Sequence, residues 1–294
     1  MQELMIEEIL LYLDKMNIEY EYKGKKNIKL IGYSALNQYK KGTFTWIKSI
    51  DNWEEELDIT LAFVQRGVEV PIENQIVTEI SKKAFFSVIE EFYEEDEERT
   101  IGCNTVIGRD VVIGDNVCIG NNCSISGNVV IGDDTTISDN VVIKNNVIIG
   151  SGCYIQAFVV IGEDGFGLYE NSDNTKIMIK HHGGVKIGNN VFIGSHVNIA
   201  RGTLADTIIS DGVKIAPSSH IGHNNQIGKN AIVICSQLYG SVELGENAYV
   251  VGSIVRNQTC VGNDSFIGMG SVVTKSVPEN CVAYGAPAKI VREN

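Results

Sequence analysis

Histidines are the residues of this chain best suited to proton transfer, and all five lie at or beyond position 181: His181, His182, His196, His220 and His223. A neutral imidazole accepts a proton near pH 7, as transfer of a group to an amine or a hydroxyl requires. His220 and His223 stand three residues apart in the stretch KIAPSSHIGHNNQIG. This pair is therefore the first candidate for a general base.

A six-residue repeat decides where these histidines point. Isoleucine recurs at every sixth position from Ile101 to Ile161, and the period returns at 187–199, 209–227 and 261–273. A helix needs apolar residues at a spacing of 3.6, so this period and its β-branched residues favour short strands. The Gly, Asn and Asp residues between them permit the positive φ of tight turns. Three hexapeptides make one triangular coil of about 18 residues, and stacked coils form a parallel β-helix.

The repeat also predicts the direction in which the two candidate histidines point, and its interruption predicts a wall beside them. Ile221 takes the interior phase, so His220 and His223 are predicted to point outward. The repeat is interrupted between Ile161 and Ile187 by GEDGFGLYENSDNTKIMIKHHGGVK. An excursion of this length from a regular solenoid usually builds a binding wall, and a plain loop without a ligand is the alternative. GEDGFG opens no helix after a strand, so it is not a dinucleotide-binding fingerprint.

The first hundred residues are of another kind, because only four of the 30 glycines precede residue 100. Residues 3–16 have the apolar spacing of an amphipathic helix, and a second helix is predicted over 81–93. Alternating stretches between them (NIKLIGYSAL, GTFTWIKSI and ITLAFVQRGVEV) are typical of strands. The sequence thus predicts a small α/β domain over residues 1–97 and a mainly β domain over 98–294.

Charge and composition exclude some classes of function. The net charge of −13 argues against a nucleic-acid partner, which needs a basic face. No apolar run reaches the ~18 residues of a membrane span, and MQELMIEEIL lacks the basic start of a secretory signal, so we expect a cytoplasmic protein. Seven cysteines form no C-x-x-C pair. We expect no metal, with buried thiols at Cys103, Cys118, Cys123 and Cys153.

The repeat and the excursion together resemble a known family. GEDGFG, followed by GGVKIGNNVFIGSHVNIARGTLADTIISDGVKIAPSSHIGHNNQIG, is similar to the UDP-3-O-acylglucosamine N-acyltransferases, which are hexapeptide-repeat acyltransferases. GYSALNQYKKGTFTWI resembles that family's uridine-binding domain. The resemblance implies an enzyme with a left-handed parallel β-helix. It also implies a homotrimer with active sites between neighbouring prisms.

The resemblance also implies roles for single residues. His223 takes the place of the family's general base, with His220 as a reserve candidate. A backbone N–H at Gly240 would stabilise the tetrahedral oxyanion. Trp46 falls on the aromatic residue that stacks on uracil. The other substrate-binding candidates are Phe166, His196 and Asn224.

Two departures from the family's pattern concern the reacting centre and the acyl donor. Two family carboxylates are replaced here by Ala200 and Ala216. The chain ends in GMGSVVTKSVPENCVAYGAPAKIVREN, which resembles the last coils of acetyl-CoA-dependent sugar acetyltransferases. There the matching stretch lies along coenzyme A. The residues assigned to the cofactor on this basis are Lys275, Gly285, Pro287 and Lys289.

We therefore expect an N-acyltransferase that moves a short-chain acyl group, most simply from acetyl-CoA, to the amine of a nucleotide-linked amino sugar for surface glycan synthesis. A lipid A type UDP-3-O-acylglucosamine N-acyltransferase using an acyl-carrier protein is one alternative. A second is a zinc-dependent hydratase, because hexapeptide-repeat carbonic anhydrases hold zinc with histidines, here His220, His223 and His196. The third is an inactive scaffold that binds nucleotide sugars.

Overall fold

The computed structural model describes residues 3–49, 58–93 and 101–294. Internal contacts divide the chain into two compact units, Met1–Asp96 and Glu97–Asn294. The predicted domain boundary between residues 97 and 98 lies outside the described residues. The two units are described separately below.

The first unit is a small α/β domain in its described part. Helix α1 (Ile6–Lys15) and helix α2 (Ser81–Tyr93) bury Ile9, Leu13 and Val88 in one apolar cluster with Phe44 and Phe63. The strands form a four-stranded sheet in the order Glu21–Lys23, Gln75–Thr78, Leu61–Gln65, Phe44–Ile47 and a short antiparallel pair, Leu4–Met5 with Lys29–Leu30. The first pair of the sheet is antiparallel and the other two pairs are parallel. A 3-10 turn spans Leu36–Gln38.

Both helices fall where the sequence predicts them. The strand prediction is only partly correct. The stretch NIKLIGYSAL contains a two-residue strand, Lys29–Leu30, and then leaves the sheet. The structure adds Glu21–Lys23 and Gln75–Thr78, which were not predicted. Glu21–Lys23 is exposed or half-buried throughout, so it lacks the apolar alternation by which strands are recognised.

The second unit is the predicted parallel β-helix, and its three flat faces are long sheets in the described residues. The nine-stranded sheet contains Val106–Ile107, Ser124–Ile125, Val142–Ile143, Val160–Glu163, Asn198–Ala200, His220–Ile221, Gln237–Leu238, Ile254–Val255 and Val272–Val273. The eight-stranded sheet contains Val111–Ile113, Val129–Ile131, Val147–Ile149, Val185–Ile187, Thr207–Ile209, Gln226–Ile227, Glu243–Leu244 and Cys260–Val261. The ten-stranded sheet contains Cys118–Ile119, Thr136–Ile137, Tyr154–Ile155, Phe192–Ile193, Lys214–Ile215, Ile232–Ile234, Tyr249–Val251, Phe266–Ile267, Cys281–Tyr284 and Lys289–Glu293.

The strand register fixes the length of each coil. Ser124 pairs with Val142, which is the predicted 18-residue period. Some later coils are one residue shorter, since His220 pairs with Gln237, and the 18-residue period returns where Ile254 pairs with Val272. Only the last strand, Lys289–Glu293, runs antiparallel to its neighbour in the prism sheets.

The interior of the prism is filled by the residues at the repeat phase. In the nine-stranded sheet, Ile125, Ile143, Ile161, Ile199 and Ile221 lie directly above one another and are 0% exposed. Burying each such side chain stabilises the fold by roughly 1.5–3 kcal/mol. Because interior and exterior residues alternate along a strand, this column also fixes which side chains point outward.

The turns between the sheets use the left-handed backbone conformation, as predicted. Asn residues occupy most of these positions outside glycine, including Asn122, Asn146, Asn190 and Asn224, with φ between 56° and 61°. Asn tolerates this conformation because its short polar side chain bonds locally. Each turn therefore has a defined shape that repeats from coil to coil.

The excursion after Ile161 leaves the prism as a short antiparallel hairpin. Its strands are Leu168–Glu170 and Lys176–Met178. The chain re-enters the prism at Val185, which pairs with Val147 of the preceding coil. The 22 residues of the next coil, from Asn198 to its partner His220, make a second wide turn at the same corner.

Two further expectations can be compared with the structure. Cys123 and Cys153 are buried as expected, but Cys103 is exposed and Cys118 is half-buried, so the prediction of four buried thiols is wrong for these two. Cys103 lies in a turn, and Cys118 directly precedes Ile119, which points inward, so the Cys118 side chain points outward. Neither helix of the described ranges is long and apolar enough to cross a membrane.

The interior column gives a direct test of the fold. Ile149 is 1% exposed, whereas its neighbour Ile148 points outward and is 46% exposed. Replacing Ile149 with Ala should lower the free energy of unfolding by about 2–5 kcal/mol, because it leaves a cavity in a packed interior. Replacing Ile148 with Ala should cost less than about 1 kcal/mol. Urea denaturation followed by circular dichroism measures both, and equal losses would contradict the assignment of the two faces.

Candidate functional site

A cleft of about 430 Å³ lies at the corner of the prism where the nine-stranded sheet turns into the eight-stranded sheet. Four successive coils and the excursion build it. Its lining residues are Gly165, Phe166, Ala200, His220, Gly222, His223, Tyr239, Gly240, Ser241, Asn257 and Gln258. The structure thus brings together four of the residues predicted from the sequence, His220, His223, Gly240 and Phe166. Ala200, which replaces a family carboxylate, also faces this cleft.

His223 is held in one tautomer by its neighbour in the turn. Its Nδ1 lies 3.0 Å from Oδ1 of Asn224. That oxygen also accepts the backbone N–H and the hydroxyl of Thr203, at 3.1 Å and 2.9 Å. Since an amide oxygen only accepts, Nδ1 of His223 carries the hydrogen and Nε2 keeps its lone pair. The ring is therefore oriented as a base with Nε2 as the reactive atom.

The ring of His223 packs against Gly240 of the next coil. A Cβ atom on Gly240 would lie 2.5 Å from Nε2, 2.6 Å from Cε1 and 3.1 Å from Cδ2 of that ring, so any side chain at this position would displace the ring. The N–H of Ser241 donates to the carbonyl of His223 at 2.8 Å and is not available to a ligand. In the described part of the chain no acceptor takes the N–H of Gly240. The Nε2 lone pair of His223 and the N–H of Gly240 thus belong to two residues that meet in one cleft.

His220 has the opposite tautomer. Its Nδ1 lies 3.1 Å from Nδ2 of Asn198, which can only donate, so the hydrogen is on Nε2. Burial and, secondarily, the positive charge that His223 can carry lower the pKa of His220 below its ordinary value. The cleft therefore pairs a base, His223, with a neutral N–H donor, His220. Such a set can take a proton from a nucleophile and hold an oxygen of a substrate.

The excursion covers one side of His223. A Cβ atom on Gly165 would lie 2.8 Å from Cβ and Cδ2 of His223, so only glycine allows the loop to approach so closely. Phe166 follows at the mouth of the cleft and is 79% exposed. His181, at the other end of the excursion, packs edge to face against His223, with 5.2 Å between ring centroids. The predicted wall is therefore present.

Other predicted residues lie elsewhere. His196 is in the turn between the ten-stranded and the nine-stranded sheet, a different corner from His223, and it stacks on Phe158 at 5.0 Å. Within one chain it does not meet His220 and His223. No group of three or more His, Cys, Asp or Glu side chains in the described ranges could hold a metal ion.

Trp46 lies in the first unit, on the strand Phe44–Ile47, where it is half-buried. Its Nε1 donates to Oγ of Ser81 at 2.9 Å. Its ring packs against Phe86, and Nζ of Lys82 lies 5.8 Å from the ring centroid. The ring is therefore held firmly by helix α2, as a stacking platform would require.

The predicted cofactor residues lie in the last coil and do not line the cleft of the same chain. Lys275, Pro287 and Lys289 are exposed. Gly285 has a φ of 104°, and its carbonyl accepts the N–H of Val272 at 3.0 Å. The segment therefore continues along the edge of the nine-stranded sheet.

Sequence reasoning missed several residues of the site. Thr203, His181 and Tyr239 have no motif of their own that marks them. Coil spacing could have found Tyr239 and Gln258, because they lie about one and two coils beyond His220 and His223. Thr203 and His181 reach the cleft through wide turns that break the six-residue period, and no spacing predicts their position.

The two histidines of the cleft should be coupled. Replacing His223 with Gln removes the smaller of the two causes that depress the pKa of His220, so that pKa should rise but stay below its ordinary value. Side-chain NMR titration of the variant and of the unaltered protein measures the change. His182→Gln, outside the cleft, is the control. A fall or no movement in the pKa of His220 would contradict the coupling.

The chain matches the family model of the bacterial transferase hexapeptide (six repeats) over residues 100–132 and 128–163. It is also similar to UDP-3-O-acylglucosamine N-acyltransferases. That of Delftia acidovorans is 38% identical over 129 residues, which are 43% of this chain and 38% of the relative. That of Verminephrobacter eiseniae is 48% identical over 84 residues, which are 28% of this chain and 26% of the relative. The chain thus spans well under half the length of these curated relatives.

Solved structures agree with the fold. UDP-N-acetylglucosamine acyltransferase from Francisella novicida superposes with a TM-score of 0.61 at 27% identity, covering 66% of this chain and 71% of that one. The Bacteroides fragilis enzyme of the same name gives 0.60 at 27% identity, with 66% and 74% covered. The predicted left-handed parallel β-helix is therefore confirmed. The second unit shares the β-helix fold of these acyltransferases, and over part of its length the chain is similar to the UDP-3-O-acylglucosamine N-acyltransferases.

Proposed function

We propose that this protein is an N-acyltransferase that acylates the amine of a nucleotide-linked amino sugar. The observation that carries the proposal is the pairing of a bare Nε2 on His223 with an unused N–H on Gly240 in one cleft. Acyl transfer needs these two groups at one carbonyl carbon, a base for the nucleophile and a donor for the oxyanion. The similarity to acyltransferases of nucleotide-linked sugars supports the choice of substrate class.

In the proposed reaction, Nε2 of His223 takes a proton from the sugar amine as the amine nitrogen attacks the carbonyl carbon of an acyl thioester. The carbonyl oxygen becomes an oxyanion and accepts the N–H of Gly240. When the intermediate collapses, the carbon–sulfur bond breaks and the thiolate leaves. The imidazolium of His223 returns the proton to the thiolate, so the base is regenerated.

The orientation of the base differs from that of enzymes in which a carboxylate holds the histidine. Here an amide oxygen of Asn224, itself fixed by Thr203, takes that position. A neutral acceptor sets the tautomer without adding a negative charge beside the ring. A sugar amine is less basic than the amine of a lysine, so a histidine is sufficient as its base.

The remaining residues of the cleft suggest how the acceptor is held. The Nε2–H of His220, a residue that lines the cleft, can serve as a donor to a sugar oxygen, and Phe166 offers an apolar face at the mouth. In a homotrimer, the cleft of one chain would be completed by a neighbour, which could bring His196 and the exposed residues Lys275, Pro287 and Lys289 to it. Trp46 remains the candidate platform for the nucleotide base.

Two classes of acyl donor fit this proposal. The C-terminal stretch favours a short-chain acyl-CoA, and acetyl-CoA is the first donor to test. The names of the similar proteins favour the lipid A type acceptor UDP-3-O-acylglucosamine, for which a longer acyl group on an acyl-carrier protein is the donor to test. Both use the same base and the same oxyanion donor.

Replacing His223 with Ala should lower turnover by about 10²- to 10⁴-fold, the usual contribution of a general base. The measurement is thiol release from acetyl-CoA with a panel of UDP- and dTDP-linked amino sugars, with an enzyme-only blank for the seven cysteines. Acyl-carrier-protein thioesters form the second donor panel. His182→Ala, a histidine outside the cleft, is the matched control. Full turnover in His223→Ala would exclude this base. No thiol release with either donor panel, together with a hydration activity that is lost on zinc removal, would favour the hydratase alternative.

Replacing Gly240 with Ala should leave the fold intact and impair the reaction. The new methyl group would lie 2.5 Å from Nε2 of His223, so the ring must move from its position. A displacement of this size costs on the order of 10²-fold in rate. Gly167→Ala is the control, because its Cβ would meet only ordinary contacts at 3.6 Å or more. Kinetics and thermal melting of both variants measure the effect, and equal activity would show that Gly240 does not border the reacting atoms.

A further inference from the structure

One buried histidine in the second unit has an unexplained polar atom. His181 is 1% exposed. Its Nδ1 lies 2.9 Å from the carbonyl oxygen of Ile179. Its Nε2 is buried and has no hydrogen-bond partner in the described part of the chain. Buried polar atoms in folded proteins are almost always paired, so an exception at this position requires a reason.

The bond to Ile179 fixes the charge pattern of the His181 ring. A carbonyl oxygen only accepts, so Nδ1 carries the hydrogen, and in the neutral ring Nε2 holds a bare lone pair. This atom is therefore the negative end of the imidazole dipole. It is buried, where electrostatic interactions are stronger than in water.

The Nε2 atom of His181 lies close to the ring of His223. A Cβ atom on Gly165 would lie 3.0 Å from Nε2 of His181 and 2.8 Å from Cδ2 of His223. The same small space thus separates the two rings, which stand at 78° to each other. Gly165 has no side chain, so no group shields one ring from the other.

We propose that His181 is a positioning residue whose bare Nε2 stabilises the imidazolium form of His223. The inference rests on the proposed function of His223 as the general base. When His223 takes a proton, positive charge spreads over its ring, including Cδ2–H. The Nε2 dipole of His181 then gains the electrostatic partner that it lacks in the resting state.

The other titratable groups around His223 do not stabilise its positive charge, so the effect of His181 on that charge can be measured. The titratable side chains that face it are His181 from the excursion, His220 from its own coil and Tyr239 from the next coil. A proton on His220 would repel a positive charge on His223. Among the described residues no Asp or Glu lines the cleft, and Ala200 lines it at the position where the resembled family has a carboxylate. Among these side chains, the dipole of His181 is therefore the one that stabilises a positive charge on the ring of His223.

Removing the lone pair should lower the pKa of His223 by about half a unit to one unit, an amount that corresponds to a three- to tenfold change in the protonation constant. His181→Phe keeps the ring and removes both nitrogens. His181→Asn keeps a donor for the carbonyl of Ile179 and removes Nε2. Both variants should show the same downward shift. His182→Phe changes the adjacent exposed histidine and should leave the pKa of His223 unchanged.

The experiment is an NMR titration of the full-length protein with isotope-labelled histidines, assigned by single substitutions. A lower pKa of His223 in both His181 variants, with an unchanged control, is the expected result. An unchanged or higher pKa in variants that melt like the unaltered protein would overturn the proposal. The ¹⁵N shifts of His181 in the unaltered protein give a second test that needs no variant, because a proton on Nε2 would also overturn it.

The titration needs no turnover, so it separates this inference from the proposed function. A shift in the pKa of His223 together with full activity of His223→Ala would leave the coupling intact and exclude His223 as the base. Loss of activity in His223→Ala with no pKa shift in the His181 variants would leave the base in place and reject the role of His181.

Discussion

The column of isoleucine side chains inside the prism is the constraint on which the rest of the second unit depends. Each coil must place one apolar side chain above the previous one, so register is fixed from strand to strand. Because the side chain of Ile221 points into the interior, the side chain of the preceding residue, His220, points outward. The position of the cleft therefore follows from packing that has no chemical role.

Close backbone approach is the second requirement of the site. Gly165 and Gly240 contact His223 from two sides, and a side chain at either position would overlap its ring. These glycines come from the excursion and from the following coil, far apart in the chain. They confine the ring of His223 while leaving its Nε2 beside a backbone N–H.

The electrostatics of the cleft are built without carboxylates. An amide oxygen orients His223, an amide nitrogen orients His220, and a carbonyl oxygen orients His181. Each histidine thus has a defined tautomer, set by a neutral partner. Burial, and secondarily the positive charge that His223 can carry, lower the pKa of His220 in this site.

The sequence by itself determined the β-helix, its interior residues, the two helices of the first unit and the histidine pair, because a six-residue period can be satisfied only by stacked coils. It could not determine how His181, Thr203 and Asn224 meet, since wide turns and a hairpin break the period there. Nor could it place His196, which is near in sequence and lies at another corner. Which lone pairs are free was decided only by the tertiary structure, because a tautomer depends on hydrogen-bond partners from distant parts of the chain.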